Sequence, residues 1–291
     1  MTEETGIPRE IPDPATITQS LSEFVDDAEF KRSERIGVGA KSEVYKKTLP
    51  GEVPVAIKLP KEETVGQSLP RTLTEAENWS TFADDQYVVS LFDYGVSHGQ
   101  PWIAMEYMDG GHLGTRLQRG EITSLKHVLW IAYCIAAGLD SAHGRGVAHQ
   151  DVKPKNVLFQ TVSGSWDVPK VGDWGTATVL LERHETIGDY TPWYAAPEQH
   201  TADVDPELQK RIDVYQLGII IYMLLTGEHP FGRSTEVALT EEPDPPSRIR
   251  PGIPSAVDSL VMKCLQRNPE DRFRDVRPIM QTLDDFLEQL A

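Results

Sequence analysis

Cysteine is almost missing from this chain. Cys134 and Cys264 are the two that occur among 291 residues, and their placement gives no metal-binding spacing. Both fall in apolar, helix-like patterns, which reads as two buried thiols in a reducing compartment. Long hydrophobic runs are missing as well. The longest, Val128–Leu139 and Leu217–Leu225, are too short to cross a bilayer and read as buried helices. The N-terminus is acidic and proline-rich rather than basic then apolar, so it lacks the pattern of a secretory signal. These absences predict a cytoplasmic protein with no membrane partner. Positive charge is scarce: 28 Lys and Arg stand against 45 Asp and Glu, a formal net charge of −17. That balance argues against a nucleic-acid partner. It is tolerable where salt screens self-repulsion, so a salt-rich cytoplasm and an ordinary acidic protein both fit. No internal repeat or long low-complexity run is visible.

What is present is a globular composition, 39% hydrophobic and 25% charged, in a chain long enough for one large domain or two smaller units. Residues 1–27 combine prolines and acids with little periodicity. They are predicted to be a flexible extension, with a short helix near Ser20–Phe24. From 28 to 105 the pattern is strand-rich. Phe30–Gly37, Ser42–Thr48 and Val53–Leu59 alternate or carry β-branched residues, with Pro50-Gly51 as a turn. A helix fits Leu69–Ala83, and two further strands fit Val88–Gly95 and Pro101–Tyr107. Five strands and one helix suit a small twisted antiparallel sheet. After Gly110-Gly111 the pattern turns helical, over Ser124–His143, Arg211–Thr226, Pro254–Gln266 and Arg277–Leu290. Five prolines between Glu241 and Pro254 predict an irregular surface connection. The expectation is an α+β, two-lobed molecule: a sheet lobe over 28–105, a mainly helical lobe over 106–291, and a hinge near Glu106–Gly111.

The densest chemistry lies in HQDVKPKNVLF, His149 to Phe159. One short loop holds a carboxylate (Asp151), an ammonium two residues on (Lys153) and an amide five residues on (Asn156). Phosphoryl transfer needs those groups together: a carboxylate for the hydroxyl proton, a cation for the moving phosphate and a neutral oxygen ligand for a metal. Such a run has no evident role in packing. Upstream, Gly37 and Gly39 lie in Ile36–Val44, where glycines would let backbone amides approach phosphates; alone, that pattern is an ordinary tight hairpin. Lys58 ends the apolar strand Val55-Ala56-Ile57-Lys58. Asp173-Trp174-Gly175 follows Asp151 by 22 residues, and Ala196-Pro197-Glu198 lies downstream.

These five sites in this order resemble a eukaryotic-type (Hanks-type) Ser/Thr protein kinase catalytic domain of the prokaryotic branch. The resemblance covers residues 28–285. It implies a bilobal protein kinase-like fold that transfers the γ-phosphoryl group of ATP to Ser or Thr of protein substrates. By resemblance, Asp151 is the base that orients the substrate hydroxyl and Lys153 steadies the γ-phosphate. Asn156 and Asp173 would ligate Mg²⁺, with Mn²⁺ as a substitute. Gly37 and Gly39 would cover the phosphates. Lys58 would grip them, held by a glutamate on the following helix. Glu75 and Glu77 compete for that place; the family sets a large apolar residue four positions later, which selects Glu75 with Trp79. Val44, Ala56 and Leu158 would enclose the adenine, and Met105 would close the back of its pocket. The backbone of Glu106 and Met108 would bond the adenine edge. Thr191 would bond Asp151 and Lys153, Glu198 would pair with Arg272, and Asp213 would anchor the catalytic-loop backbone.

The chain departs from the family pattern at several positions. Ser42 stands where a third glycine is usual, and Trp174 replaces a phenylalanine beside Asp173. Gln150 stands where an arginine usually pairs with a phosphorylated activation loop. A neutral amide cannot supply that charge, so activity is expected not to require such phosphorylation. Thr186 is the best-placed autophosphorylation candidate, with Thr176 and Thr178 behind it. His112, Lys155 and Met223 occupy positions where arginine-directed relatives carry carboxylates, so an upstream arginine is not expected in substrates. The alternative is a pseudokinase serving as a nucleotide-binding interaction module. A small-molecule kinase on a related fold is disfavoured by Thr191 and Ala196-Pro197-Glu198. The acidic surface generates one prediction: if the charge is a salt adaptation, Tm holds or rises as KCl is raised to molar concentration, and a Tm that falls with KCl excludes it.

Overall fold

Val53–Pro60 and Gln100–Glu106 bury most of their side chains, which strands do only when both faces of their sheet are covered. The computed structural model describes residues 6–39, 41–61, 65–175, 177–179, 192–200, 208–232 and 234–290, and it shows what covers them. Strands β1 (Arg35–Val38), β2 (Ser42–Leu49), β3 (Val53–Pro60), β4 (Leu91–Ser97) and β5 (Gln100–Glu106) form an antiparallel sheet in the order β1-β2-β3-β5-β4. One face, with Ala56, Ile103 and Met105, packs on Ala76 and Trp79 of helix α2 (Val65–Ser80). The other face carries Tyr45, Val55, Ile57, Leu59 and Trp102, and it is covered by Leu21 and Val25, the second of these on helix α1 (Ser22–Asp27).

Residues 6–27 are therefore not the free extension that their composition predicts. Leu21 and Val25 are buried, and Ile17, Phe24 and Phe30 pack beside them. The Leu21 N–H donates to Asp93 Oδ2 at 2.7 Å. At the other end, the Trp166 N–H donates to the Gly6 carbonyl at 2.8 Å, and Ile7 and Ile11 pack on the main core. Prolines and acids dominate the composition here, while a few irregularly spaced apolar side chains make the contact. Helix α2 also differs from expectation. It starts before Pro70 rather than beside it, although proline offers no N–H to the helix.

The second lobe comprises α3 (Leu113–Arg119), α4 (Leu125–Gly144), β6 (Val147–Ala148), β7 (Val157–Gln160), β8 (Val168–Val171), β9 (Thr178–Val179), α5 (Gln209–Thr226), α6 (Thr235–Thr240), α7 (Pro246–Ile249), α8 (Ser255–Cys264) and α9 (Arg277–Gln289). Helix α5 is its axis: every residue from Ile212 to Leu225 is buried, as expected of a helix apolar all round. Gly218 lets α8 come close, because a Cβ there would stand 2.6 Å from Cys264 Cβ. Helix α7 places one helical turn inside the proline-rich stretch expected to be irregular; Pro246 is its first residue, where a missing N–H costs nothing. Cys134 and Cys264 are buried and unbridged, and burial pushes the Cys264 thiol up to about 12. Among the described residues no helix is long and apolar enough to cross a membrane.

β6 pairs with β9 and β7 with β8, both antiparallel. The loop 149–156 and the turn 172–175 thus leave adjacent strands side by side, the second of them reaching Lys58 of the sheet lobe. The cover on the outer sheet face is testable. Truncating Leu21 to Ala should destabilise the protein by about 2–5 kcal/mol, the range for buried Leu→Ala changes, read from urea unfolding midpoints. A shift near zero would mean that the segment contributes no packing energy.

Candidate active site

The loop between β6 and β7 carries Asp151, Lys153 and Asn156. Its backbone is anchored from α5: Asp213 accepts from the His149 N–H at 2.9 Å and the Gln150 N–H at 2.7 Å. Asp213 is fully buried and also meets His143 Nε2 at 2.8 Å. It takes the anchoring place expected of it. The Asn156 amide nitrogen donates to the Asp151 carbonyl at 2.9 Å, so its oxygen is the atom left to offer a cation. Lys153 Nζ donates to Asp151 Oδ2, which sets an ammonium beside the carboxylate.

On the sheet side, Gly37 faces Val44 across the β1–β2 pairing, and Val44 faces Lys58 across β2–β3. The Gly39 N–H closes the turn on the Ser42 carbonyl at 2.8 Å; Ala40 lies outside the described residues. Lys58 Nζ reaches Glu75 Oε1 at 2.7 Å and Asp173 Oδ1 at 2.7 Å. Of the two competing glutamates, Glu75 is thus the paired one, and Glu77 is exposed. Burial alone would push the Lys58 pKa down, but the Asp173 and Glu75 carboxylates outweigh it and raise it. The Lys58 ammonium in turn holds Asp173 down to about 2. Burial lifts Glu75 above the usual carboxylate range, partly offset by Lys58.

Trp79, one turn after Glu75, is fully buried and donates its Nε1–H to the Val89 carbonyl at 2.9 Å. That bond ties α2 to the segment leading into β4. Trp174 is also fully buried, packed on Phe82 at 4.5 Å and His149 at 4.5 Å between ring centres. The larger ring therefore sits inside the core, while Asp173, at a φ of 60°, turns toward Lys58. Arg71 on α2 donates to the Gly175 carbonyl at 3.2 Å, joining the helix to the same turn.

At the hinge, Met105 faces Ala56 across β3–β5 and is buried, and Met108 is buried. The Glu106 N–H is bonded to the Ser90 carbonyl at 2.9 Å. Its side chain forms a buried ion pair with Lys170 of β8 at 2.9 Å. Leu158 on β7 lies opposite Lys170 and forms an isolated bridge with His112. His112 caps α3, its ring accepting from the Thr115 N–H at 3.2 Å. Glu198 and Arg272 form a bidentate pair at 2.7 and 2.8 Å. Thr176, Thr186 and Thr191 lie outside the described residues, as does the side chain of Thr178.

Sequence reasoning passed over Lys170, Arg71, Gln199 and Gln216. Lys170 could have been found as the lone charge in the apolar strand VPKV, because a buried ammonium needs a partner. The oxygens of Asn156 and Asp173 make a hard donor set that suits a divalent cation such as Mg²⁺.

A family model described as the protein kinase domain matches residues 30–284. The chain belongs to the protein kinase family. Membership implies use of ATP and a divalent metal in general. The kinase is 32% identical over 215 residues to the serine/threonine-protein kinase Pkn1 of Myxococcus xanthus, covering 69% of this chain and 30% of that one. It is 35% identical over 199 residues to pkn3 of the same organism, covering 63% and 36%. It is 34% identical over 215 residues to PknD of Mycobacterium tuberculosis, covering 70% and 31%. The chain thus spans about a third of the length of these curated relatives.

The pairing of Lys58 yields a prediction. Glu75→Gln should lower kcat/KM by on the order of 10²-fold, as misplacing a group that positions the substrate does, here Lys58, while Glu77→Gln leaves it within twofold. Equal effects in steady-state kinetics would remove Glu75 from this role.

Proposed function

We propose that this chain is an ATP-dependent protein kinase that phosphorylates Ser or Thr hydroxyls of proteins in a reducing, cytoplasmic setting. The observation that carries the reading is the pairing of Lys58 with both Glu75 and Asp173. It joins the sheet lobe to the turn that follows β8, on the same side as Asp151, Lys153 and Asn156. Kinase relatives over most of the chain support it.

In this reading adenine lies between Val44, Ala56 and Leu158, against the Glu106–Met108 backbone. Gly37 and Gly39 cover the phosphates, and Lys58 neutralises charge on them. Asn156 and Asp173 would hold Mg²⁺, which would draw off negative charge on the phosphate oxygens. Asp173 remains ionised throughout the working pH range because Lys58 keeps it near 2. Asp151 accepts a hydrogen bond from the substrate hydroxyl and takes its proton as the hydroxyl oxygen bonds to the γ-phosphorus. The bond from that phosphorus to ADP breaks, and the electron pair leaves with ADP. Lys153 stabilises the transferred group.

Gln150 is buried and neutral, which supports activity without a phosphorylated activation segment. His112 is committed to capping α3, and burial lowers its pKa. Lys155 is exposed and cationic. Neither attracts an arginine side chain in a substrate.

Incubating the protein with Mg²⁺-ATP and casein, beside Asp151→Asn, tests the reading. Wild type should label casein or itself, and the variant should lose on the order of 10²–10⁴-fold, the contribution of a positioned general base. Phosphatase-treated wild type should keep its rate. Nucleotide-dependent thermal stabilisation without transfer would mark a pseudokinase instead.

A further inference from the structure

The His149–Val152 half of the catalytic loop is held by side chains. The N–H groups of His149 and Gln150 go to Asp213. The Asp151 N–H goes to His149 Nδ1 at 3.3 Å, and the Val152 N–H goes to Gln216 Oε1 at 2.7 Å. On the acceptor side, the Gln150 carbonyl receives both Gln199 Nε2 and Gln216 Nε2, each at 3.0 Å. The Asp151 carbonyl receives Asn156. Gln150 itself sits at a φ of 63°, a left-handed setting that costs a non-glycine residue about 1 kcal/mol or more. A strained residue directly before the proposed base persists only when its neighbours over-determine it.

Gln216 has an unusual share in this. Its one amide binds the carbonyl of the residue before Asp151 and the N–H of the residue after it. It lies three positions after Asp213 on α5, so both side chains rise from one face of the helix. Gln199 completes the arrangement. Its oxygen accepts from the Ala196 N–H at 2.9 Å and from Gln216 Nε2 at 3.2 Å, while its nitrogen serves Gln150. Gln150, Gln199 and Gln216 are each at most 3% exposed. A buried amide left unpaired is costly, so the Gln199 and Gln216 amides each specify where the other goes, and both fix the Gln150 carbonyl.

We propose that Gln216 and Gln199 are positioning residues that fix Asp151 through the peptide groups on either side of it. They couple the Ala196-Pro197-Glu198 segment to the catalytic loop by neutral hydrogen bonds. The mechanism needs no charge at Gln150. This deepens the kinase reading and rests on it.

The test is a double-mutant cycle with Gln216→Leu, Gln199→Leu and both together, each checked for native circular dichroism. Gln216→Leu should lower kcat on the order of 10 to 10²-fold, as small misplacements of a catalytic group do, with KM for ATP unchanged within twofold. The double variant should cost little more than Gln216→Leu alone, because the two amides act as one unit. Effects that multiply, a KM(ATP) that rises with an unchanged kcat, or a kcat within twofold of wild type would overturn the proposal. Should Gln216→Leu not fold, Gln199→Leu carries the same kcat expectation and the same refutation. Amide hydrogen exchange supplies a readout that needs no activity: Gln216→Leu should strip protection from the Val152 N–H, and retained protection refutes the lock. Wild type without transfer would sink the kinase reading, while the exchange result still decides the lock.

Discussion

One ammonium governs the cleft. Lys58 lies between two carboxylates that reach it from different parts of the chain, Glu75 on α2 and Asp173 after β8. Removing a lysine from water is costly, and only well-placed anions offset it. The pair of carboxylates does so from two directions, so three elements must sit correctly at once: β3, α2 and the Asp173 turn. Trp79 and Arg71 act on the same helix, one pinning it to the Val89 carbonyl and the other reaching the Gly175 carbonyl. Displacing any of these leaves a charge without its partner. The geometry of the nucleotide side therefore follows from Lys58 more than from any apolar contact around it.

Below the cleft the chemistry changes character. Helix α5 is buried on all sides and offers Asp213 and Gln216 upward to the catalytic loop. Two ion pairs join segments far apart in the chain, Glu198 with Arg272 beside α5 and Glu106 with Lys170 at the hinge. The Arg272 guanidinium also meets the carbonyls of Arg211, Gln266 and Arg267. With the two bonds to Glu198, all five of its donors are satisfied, which is what makes a buried guanidinium tolerable. Charges thus mark the joints between elements, while the Asp213 carboxylate and the Gln199 and Gln216 amides together position the loop of Asp151.

The strands and helices were legible wherever a single period ran long enough. β2, β3 and β5, and the helices α4, α5 and α9, fall within a few residues of the expected limits, because alternation and helical spacing report burial directly. Glu75 was separable from Glu77 because Trp79 follows it by one turn. Lys170, Gln199 and Gln216 were not legible. Each looks ordinary in its own window, and its meaning lies in a partner distant in the chain, such as Glu106 for Lys170 or the catalytic loop for Gln216. Residues 6–27 failed for a different reason. Composition measures whether a segment can fold alone, whereas this one uses a surface already built by the sheet.

That same segment alters the mechanics of the two lobes. Its start is bonded at Trp166, beside Asp167, whose carboxylate meets Arg116; Arg116 in turn reaches the Gly110 carbonyl at the hinge. Its end is fastened to Asp93 on the edge strand β4. Besides the hinge and the cleft contacts, the lobes are thus joined along the line of this segment. Bodies linked by a single strip bend and twist about it freely; bodies linked along two rotate about the axis the two links share. A link of this kind opposes twisting of the lobes more than a simple swing, and it is supplied by a stretch of chain with one short helix among its described residues.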